Sequence, residues 1–154
     1  MDFPWQEPTV IDQTQLILNS YQHWFGFPLL NMEQAPIELA QQLFEAPFVI
    51  FSHSNQADPI YNYGNRQGLR LWELSWEDLR QTPSRTTTEP MGQEDRNQVL
   101  TDTSTKGYAK GYSGVRISST GKRILIKDVM LWNLLDQHQQ YQGQAAMFSE
   151  YHFL

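Results

Sequence analysis

The spacing of apolar residues changes near Pro47, and that change restricts the chain more than any other feature. Ahead of it the spacing is helical. Between Thr9 and Phe25, Val10, Ile17, Tyr21 and Trp24 recur on one stripe, with Ile11, Leu18 and Phe25 beside them. Gly26 and Pro28 then supply stop signals. Pro36 opens a second predicted helix carrying Ile37, Ala40, Leu43 and Phe44. From Phe48 to Phe51 the apolar residues run without a break, as in a strand covered on both faces. The polar turn His53 to Pro59 separates it from a second strand, Ile60 to Tyr63, which predicts a hairpin. Short helices follow, one capped by Asn65 and one by Ser75 with Asp78. After the polar loop Thr82 to Thr88, Pro90 starts a longer helix that ends near Gly107. The last third reads as strands over Tyr108 to Ser118, Arg123 to Leu135 and Gln144 to Phe153. The expected fold class is α+β: a five-stranded antiparallel sheet, residues 47–154, with short helices on one face and an N-terminal helical extension over residues 1–46.

Composition narrows what such a fold can do. A chain of 154 residues fits one domain and can bury roughly 68–70% of its unfolded surface, so it needs no staple. Aromatic residues at 13% argue against disorder. The net charge is −6, from 11 basic against 17 acidic residues with no basic cluster, which speaks against direct binding of nucleic acid. There is no cysteine, so disulfides, thiolate nucleophiles and Cys-ligated metal centres are excluded. The four histidines, His23, His53, His138 and His152, show no metal-ligand spacing. No apolar run approaches the roughly 18–20 residues of a membrane span, and the opening MDFPWQEPTV lacks the pattern of a signal peptide. The expected location is the cytoplasm.

The order strand–strand–helices–strand–strand–strand is that of PAS domains, and particular segments carry a closer likeness. FVIFSHSNQADPIYNYGNRQGLRLWELSWEDLRQTPSR, Phe48 to Arg85, resembles the first half of the MEKHLA family. GYSGVRISSTGKRILIKDVMLWNLLDQ, Gly111 to Gln137, with GQAAMF, Gly143 to Phe148, resembles its second half. The family is PAS-related and occurs as small stand-alone proteins in bacteria, notably cyanobacteria, and in plant homeodomain–leucine zipper transcription factors. The resemblance implies a PAS-like fold and a ligand-binding or regulatory role, acting through a partner or a homodimer. It carries over no catalytic residue. The homeodomain is absent here, so transcription-factor activity does not transfer. Cysteinyl-adduct flavin photochemistry is excluded by composition while non-covalent flavin binding stays open, nothing selects one histidine as a haem ligand, and the cofactor stays unknown.

On that fold a small-molecule pocket is expected between the concave face of the sheet and the short helices, with Phe51, Tyr63, Trp72 and Trp132 in its wall. Strand alternation places Tyr61 and Tyr63 on one face, near Asn65 and Trp72, as a wall for a flat ligand or as ordinary core. Tyr112 and Arg116 share the face opposite Val115 and Ile117, where Arg116 can hold an anion, pair with Asp128, or face water. Ile124, Ile126, Met130 and Trp132 share a parity on the next strand. Arg85 and Arg96 can close the helical side of the pocket or bond turn carbonyls. His53 with Asp58 is either a polar pair at the rim, in an alternative reading the base of a small enzyme, or a plain strand-end turn. The stripe Ile17, Tyr21 and Trp24 either makes a homodimer or packs over the open face of the sheet.

Overall fold

A computed structural model describes residues 3–154. The first helix, α1 (Pro8–Phe25), starts at a proline whose missing N–H would have no helical partner. It ends at Gly26, where φ is 81° and the amide closes onto the Gln22 carbonyl. Helix α2 (Pro36–Phe44) also starts at a proline, and the Glu38 carboxylate accepts from the Ala35 amide. The chain then enters β1 (Val49–His53) and β2 (Tyr61–Gly64), followed by α3 (Arg66–Trp72), α4 (Trp76–Leu79) and α5 (Gln93–Lys106). Single turns of 3-10 helix at Ser84–Thr87 and Pro90–Gly92 lead into α5. The chain ends in β3 (Tyr108–Ile117), β4 (Arg123–Leu135), β5 (Tyr141–Phe148) and β6 (Glu150–Phe153).

All strand pairs are antiparallel, in the order β2-β1-β5-β4-β3, with β6 also on β4. The sheet therefore has six strands where five are expected. The sixth arises because the single final strand predicted over Gln144 to Phe153 is broken at Ser149. Its pairing with β4 keeps one register throughout, from Ile124–Phe153 to Asn133–Gln144. The ladder is interrupted between Lys127–Glu150 and Met130–Met147, where Asp128 takes φ 50°. That residue turns the alternation over. Ile124 and Ile126 before it, and Val129 and Leu131 after it, all belong to one face of the sheet.

Each face has its own core. On one, Ile17, Leu18 and Tyr21 of α1 and Leu39 and Leu43 of α2 pack on Ile50, Tyr63, Trp132 and Leu134. On the other, Val49, Phe51, Tyr61, Ile126, Leu131 and Phe148 meet Leu71 and Trp72 of α3 and Leu79 of α4. Helix α1 is tied down by more than apolar contact. The Trp132 indole N–H donates to the Ile17 carbonyl at 3.2 Å, and the Trp24 indole N–H donates to the Asn133 carbonyl at 2.9 Å. The Ser20 hydroxyl accepts from the Leu135 amide at 2.9 Å. The stripe of α1 is thus occupied by the protein's own sheet, and Tyr21 is buried there. Gly107 (φ 101°) lies against the Trp24 ring, where a side chain would collide. Among the described residues, no helix is long and apolar enough to cross a membrane.

Candidate functional site

The two core layers differ in one respect: the face under α3, α4 and α5 keeps a cavity. Its volume is about 70 Å³. That is room for a small organic molecule or a few waters. Phe51 and His53 of β1 and Tyr61 of β2 form one side. Trp72 of α3, stacked on Phe51 with centroids 4.6 Å apart, forms the floor. Ile126, Val129 and Leu131 of β4 supply the apolar back wall, while Arg96 and Leu100 of α5 close the helical side. Tyr112 and Arg116 of β3 stand at the far end, and Gln144, Ala146 and Phe148 of β5 complete the enclosure.

Of the nine residues singled out from the sequence, six meet here: Phe51, His53, Tyr61, Trp72, Tyr112 and Arg116. Three do not, and each has a physical reason. Tyr63 is turned away by a bulge in the β1–β2 ladder, which pairs Ser52 with Tyr63 but His53 with Tyr61. The extra residue, Asn62, breaks the alternation, so Tyr61 faces the cavity and Tyr63 packs edge-on against Trp76 beneath α2. Burial raises the Tyr63 hydroxyl well above the usual phenol range. Trp132 is displaced by the same kind of irregularity at Asp128 and lies under α1, against Tyr21 and Phe25. Asn65 is fully consumed by structure. Its Oδ1 accepts from the Gly68 and Ile50 amides, and its Nδ2 donates to the Leu43 and Phe48 carbonyls.

Hydrogen bonding in the cavity can be followed atom by atom. Thr87 Oγ1 donates to the Ser84 carbonyl at 2.8 Å, so the Tyr61 hydroxyl, 2.7 Å away, donates to Thr87. The Trp72 indole N–H in turn donates to the Tyr61 oxygen at 3.1 Å. His53 Nδ1 lies 3.1 Å from the Ser54 carbonyl, which assigns the ring proton to Nδ1. Burial lowers the His53 pKa, with the Arg96 charge acting in the same direction, so the neutral imidazole is favoured near pH 7. Its Nε2 is buried without a protein partner. Gln144 Nε2 donates to the Leu100 carbonyl at 3.1 Å and to Asn133 Oδ1 at 3.2 Å, while its Oε1 is buried and unpartnered. Arg96 is only 7% exposed, and its Nη2 donates to Ser84 Oγ at 2.5 Å. Arg116 lies over the Tyr112 ring and donates to its oxygen at 3.3 Å.

Other pairings anticipated from the sequence are not formed. Asp58 binds Arg85 at 3.1 Å on the surface, while the His53 ring turns to Ser54, so the two make no acid–base pair. Arg116 stands opposite Ile124 in the ladder and not against Asp128, which is exposed. Ser84, Thr87, Leu100 and Gln144 were not foreseen in the site. Arg96 was foreseen only as a closing residue. Among the described residues, no cluster of His, Asp and Glu could hold a metal ion.

An antiparallel sheet whose inserted helices cover a cavity on one face is a PAS-type domain, and solved structures agree. The PAS domain of a protein from Colwellia psychrerythraea superposes with a TM-score of 0.63 at 15% identity, covering 76% of this chain and 94% of that one. The light-state dimer of the fungal blue-light photoreceptor Vivid gives 0.60 at 10% identity, covering 87% and 91%. A light-oxygen-voltage domain studied with a flavin analogue gives 0.60 at 11% identity, covering 76% and 84%. The model of the MEKHLA domain matches residues 11–153, and the chain belongs to that family. No curated protein sequence matches it. The chain has no cysteine to form a flavin adduct.

Proposed function

We infer that this MEKHLA domain is a sensory or regulatory module that binds a small molecule in the cavity and passes the event to a partner or a second copy through α1. The observation that carries the reading is the placement of Gln144. Its amide ends in the cavity, with Oε1 unpartnered, while Nε2 donates to the Asn133 side chain. The Asn133 carbonyl accepts from Trp24 of α1, and its Nδ2 donates to the Ser104 carbonyl of α5. A ligand that reorients Gln144 is therefore one side chain removed from both helices. Leu131 and Trp132 give a parallel apolar link, since adjacent residues of β4 touch the cavity and α1 respectively. A ligand with different affinity for two packings of α1 shifts their populations, which is what sensing requires.

Native mass spectrometry of the protein purified from its own host tests this reading. A stoichiometric small-molecule adduct is expected, and Ala146→Leu, which adds bulk at the cavity wall, should remove it with the fold intact. Ligand addition should also change hydrogen exchange in α1. A clean protein mass, together with α1 exchange indifferent to Ala146→Leu, would sink it in favour of a filled interaction module.

A further inference from the structure

Two arginines converge on the cavity, and neither meets a carboxylate there. Both hydrogen bonds that Arg96 makes go to neutral oxygens, Ser84 Oγ and the Asn97 side chain. Those of Arg116 go to the Val115 carbonyl and the Tyr112 hydroxyl. The ion pairs among the described residues are Arg66–Glu45, Arg85–Asp58, Lys122–Glu73 and Arg123–Glu89, and they include neither. Nearby acids are engaged elsewhere. Asp58 holds Arg85 at the surface, and Asp95 accepts from the Tyr112 hydroxyl at 3.0 Å. A guanidinium taken out of water without a counter-charge is costly, and a second one beside it adds repulsion. Burial first, and the Arg116 charge among the lesser causes, lower the Arg96 pKa accordingly. An anion bound in the cavity would offset both costs, and the planar guanidinium suits a carboxylate.

Two further groups in the cavity wall have the reverse polarity. His53 Nε2 and Gln144 Oε1 are both acceptors, both buried and both without a protein partner. With the imidazole neutral the two acceptors leave room for a donor, because an unpaired buried polar group is itself unfavourable; protonated, His53 would donate to Gln144 instead. Tyr61 cannot supply that donor, since its proton goes to Thr87. Ile126, Val129 and Leu131 supply the apolar part of the wall, which accepts a short hydrocarbon.

We propose that the cavity takes a small carboxylate bearing a hydroxyl group. The carboxylate lies against Arg96 and Arg116, and the hydroxyl donates to His53 Nε2 or Gln144 Oε1. The cavity of about 70 Å³ suits a small acid, for which lactate is the simplest probe. This rests on the small-molecule reading above and adds the chemical class.

The test is calorimetry and thermal unfolding of the intact protein with lactate, propionate and propylene glycol. The second probe lacks the hydroxyl and the third lacks the charge. Lactate should bind, raising Tm by about 5–10 °C at a concentration near a hundred times its Kd. Propionate should bind at least tenfold more weakly, and propylene glycol not at all. Arg96→Met should weaken lactate at least tenfold while leaving the Tm of the unliganded protein equal or higher, because it removes an unpaired buried charge. Arg116→Met should give the same loss of binding if the first variant misfolds. Propylene glycol binding as tightly as lactate, or lactate binding unchanged in both variants, overturns the anion assignment. Equal binding of propionate and lactate overturns the hydroxyl. If no probe binds but the native mass carries an uncharged adduct, this inference fails and the small-molecule reading stands. If no probe binds and the mass is clean, both fail.

Discussion

Leu131 and Trp132 are neighbours on β4, yet one faces a cavity and the other is locked beneath a helix. The faces they belong to use the same kinds of residue, aromatic and branched aliphatic, with a few buried polar groups. They differ in how the polar groups are satisfied. Under α1 several bonds fasten helix to sheet, Trp132 to Ile17, Trp24 to Asn133 and Leu135 to Ser20, and the buried Tyr63 hydroxyl and Trp76 indole N–H that lack a partner there line no cavity. Around the cavity several stay open or meet only neutral partners, at His53, Gln144 and Arg96. Aromatic content alone therefore does not distinguish recognition from packing. Unclosed hydrogen bonds that border a cavity do.

That contrast can be broken most forcefully from the closed side. Trp132→Ala removes a fully buried ring and an indole donor, so a loss of about 3–5 kcal/mol is expected in chemical denaturation. A loss below about 1 kcal/mol would mean that α1 is not anchored as described. Asn65→Ala should come next, at about 3 kcal/mol, because it leaves the Gly68 and Ile50 amides without their acceptor. Unchanged stability there would return Asn65 to the list of candidate ligand contacts. The smallest effect belongs to the open side and depends on pH. The folded pKa of His53 lies below its ordinary value of 6.5, so the unfolded chain takes up the proton first. Its contribution to stability is thus present above about pH 6.5 and lost as the pH falls below it. His53→Gln should flatten that part of the stability profile, and an unaltered slope would show the imidazole to be solvated.

The sequence displayed the change of period, the helix start at Pro36, the caps at Asn65 and Ser75, and the meander of the last third, while the first helix starts at Pro8, one residue ahead of the expected Thr9. Alternation correctly placed Tyr112 with Arg116. It failed at Tyr63 and Trp132 because a strand's faces can be counted only until an irregularity inserts a residue. Neither Asn62 nor Asp128 is marked by a glycine or proline that would have announced one. Gln144 was missed for a different reason: it sits on a predicted strand as one of many glutamines, and only its neighbours across the sheet show that its amide is half satisfied. Arg96 carries no sequence mark of burial, since its helix is otherwise polar and largely exposed.

The bonds that fasten α1 to β4 join residues 115 positions apart in the chain. At ribosomal speeds of about 5–20 residues per second, the first helix waits on the order of ten seconds before the strand it docks on has been made. During that interval its apolar stripe has only α2 and the first strands of the sheet to pack against. Contacts that span such distances also slow folding in the free chain. The same connections that join α1 to the cavity therefore make it a late-docking element, left without its partner strand while the rest of the chain is synthesised.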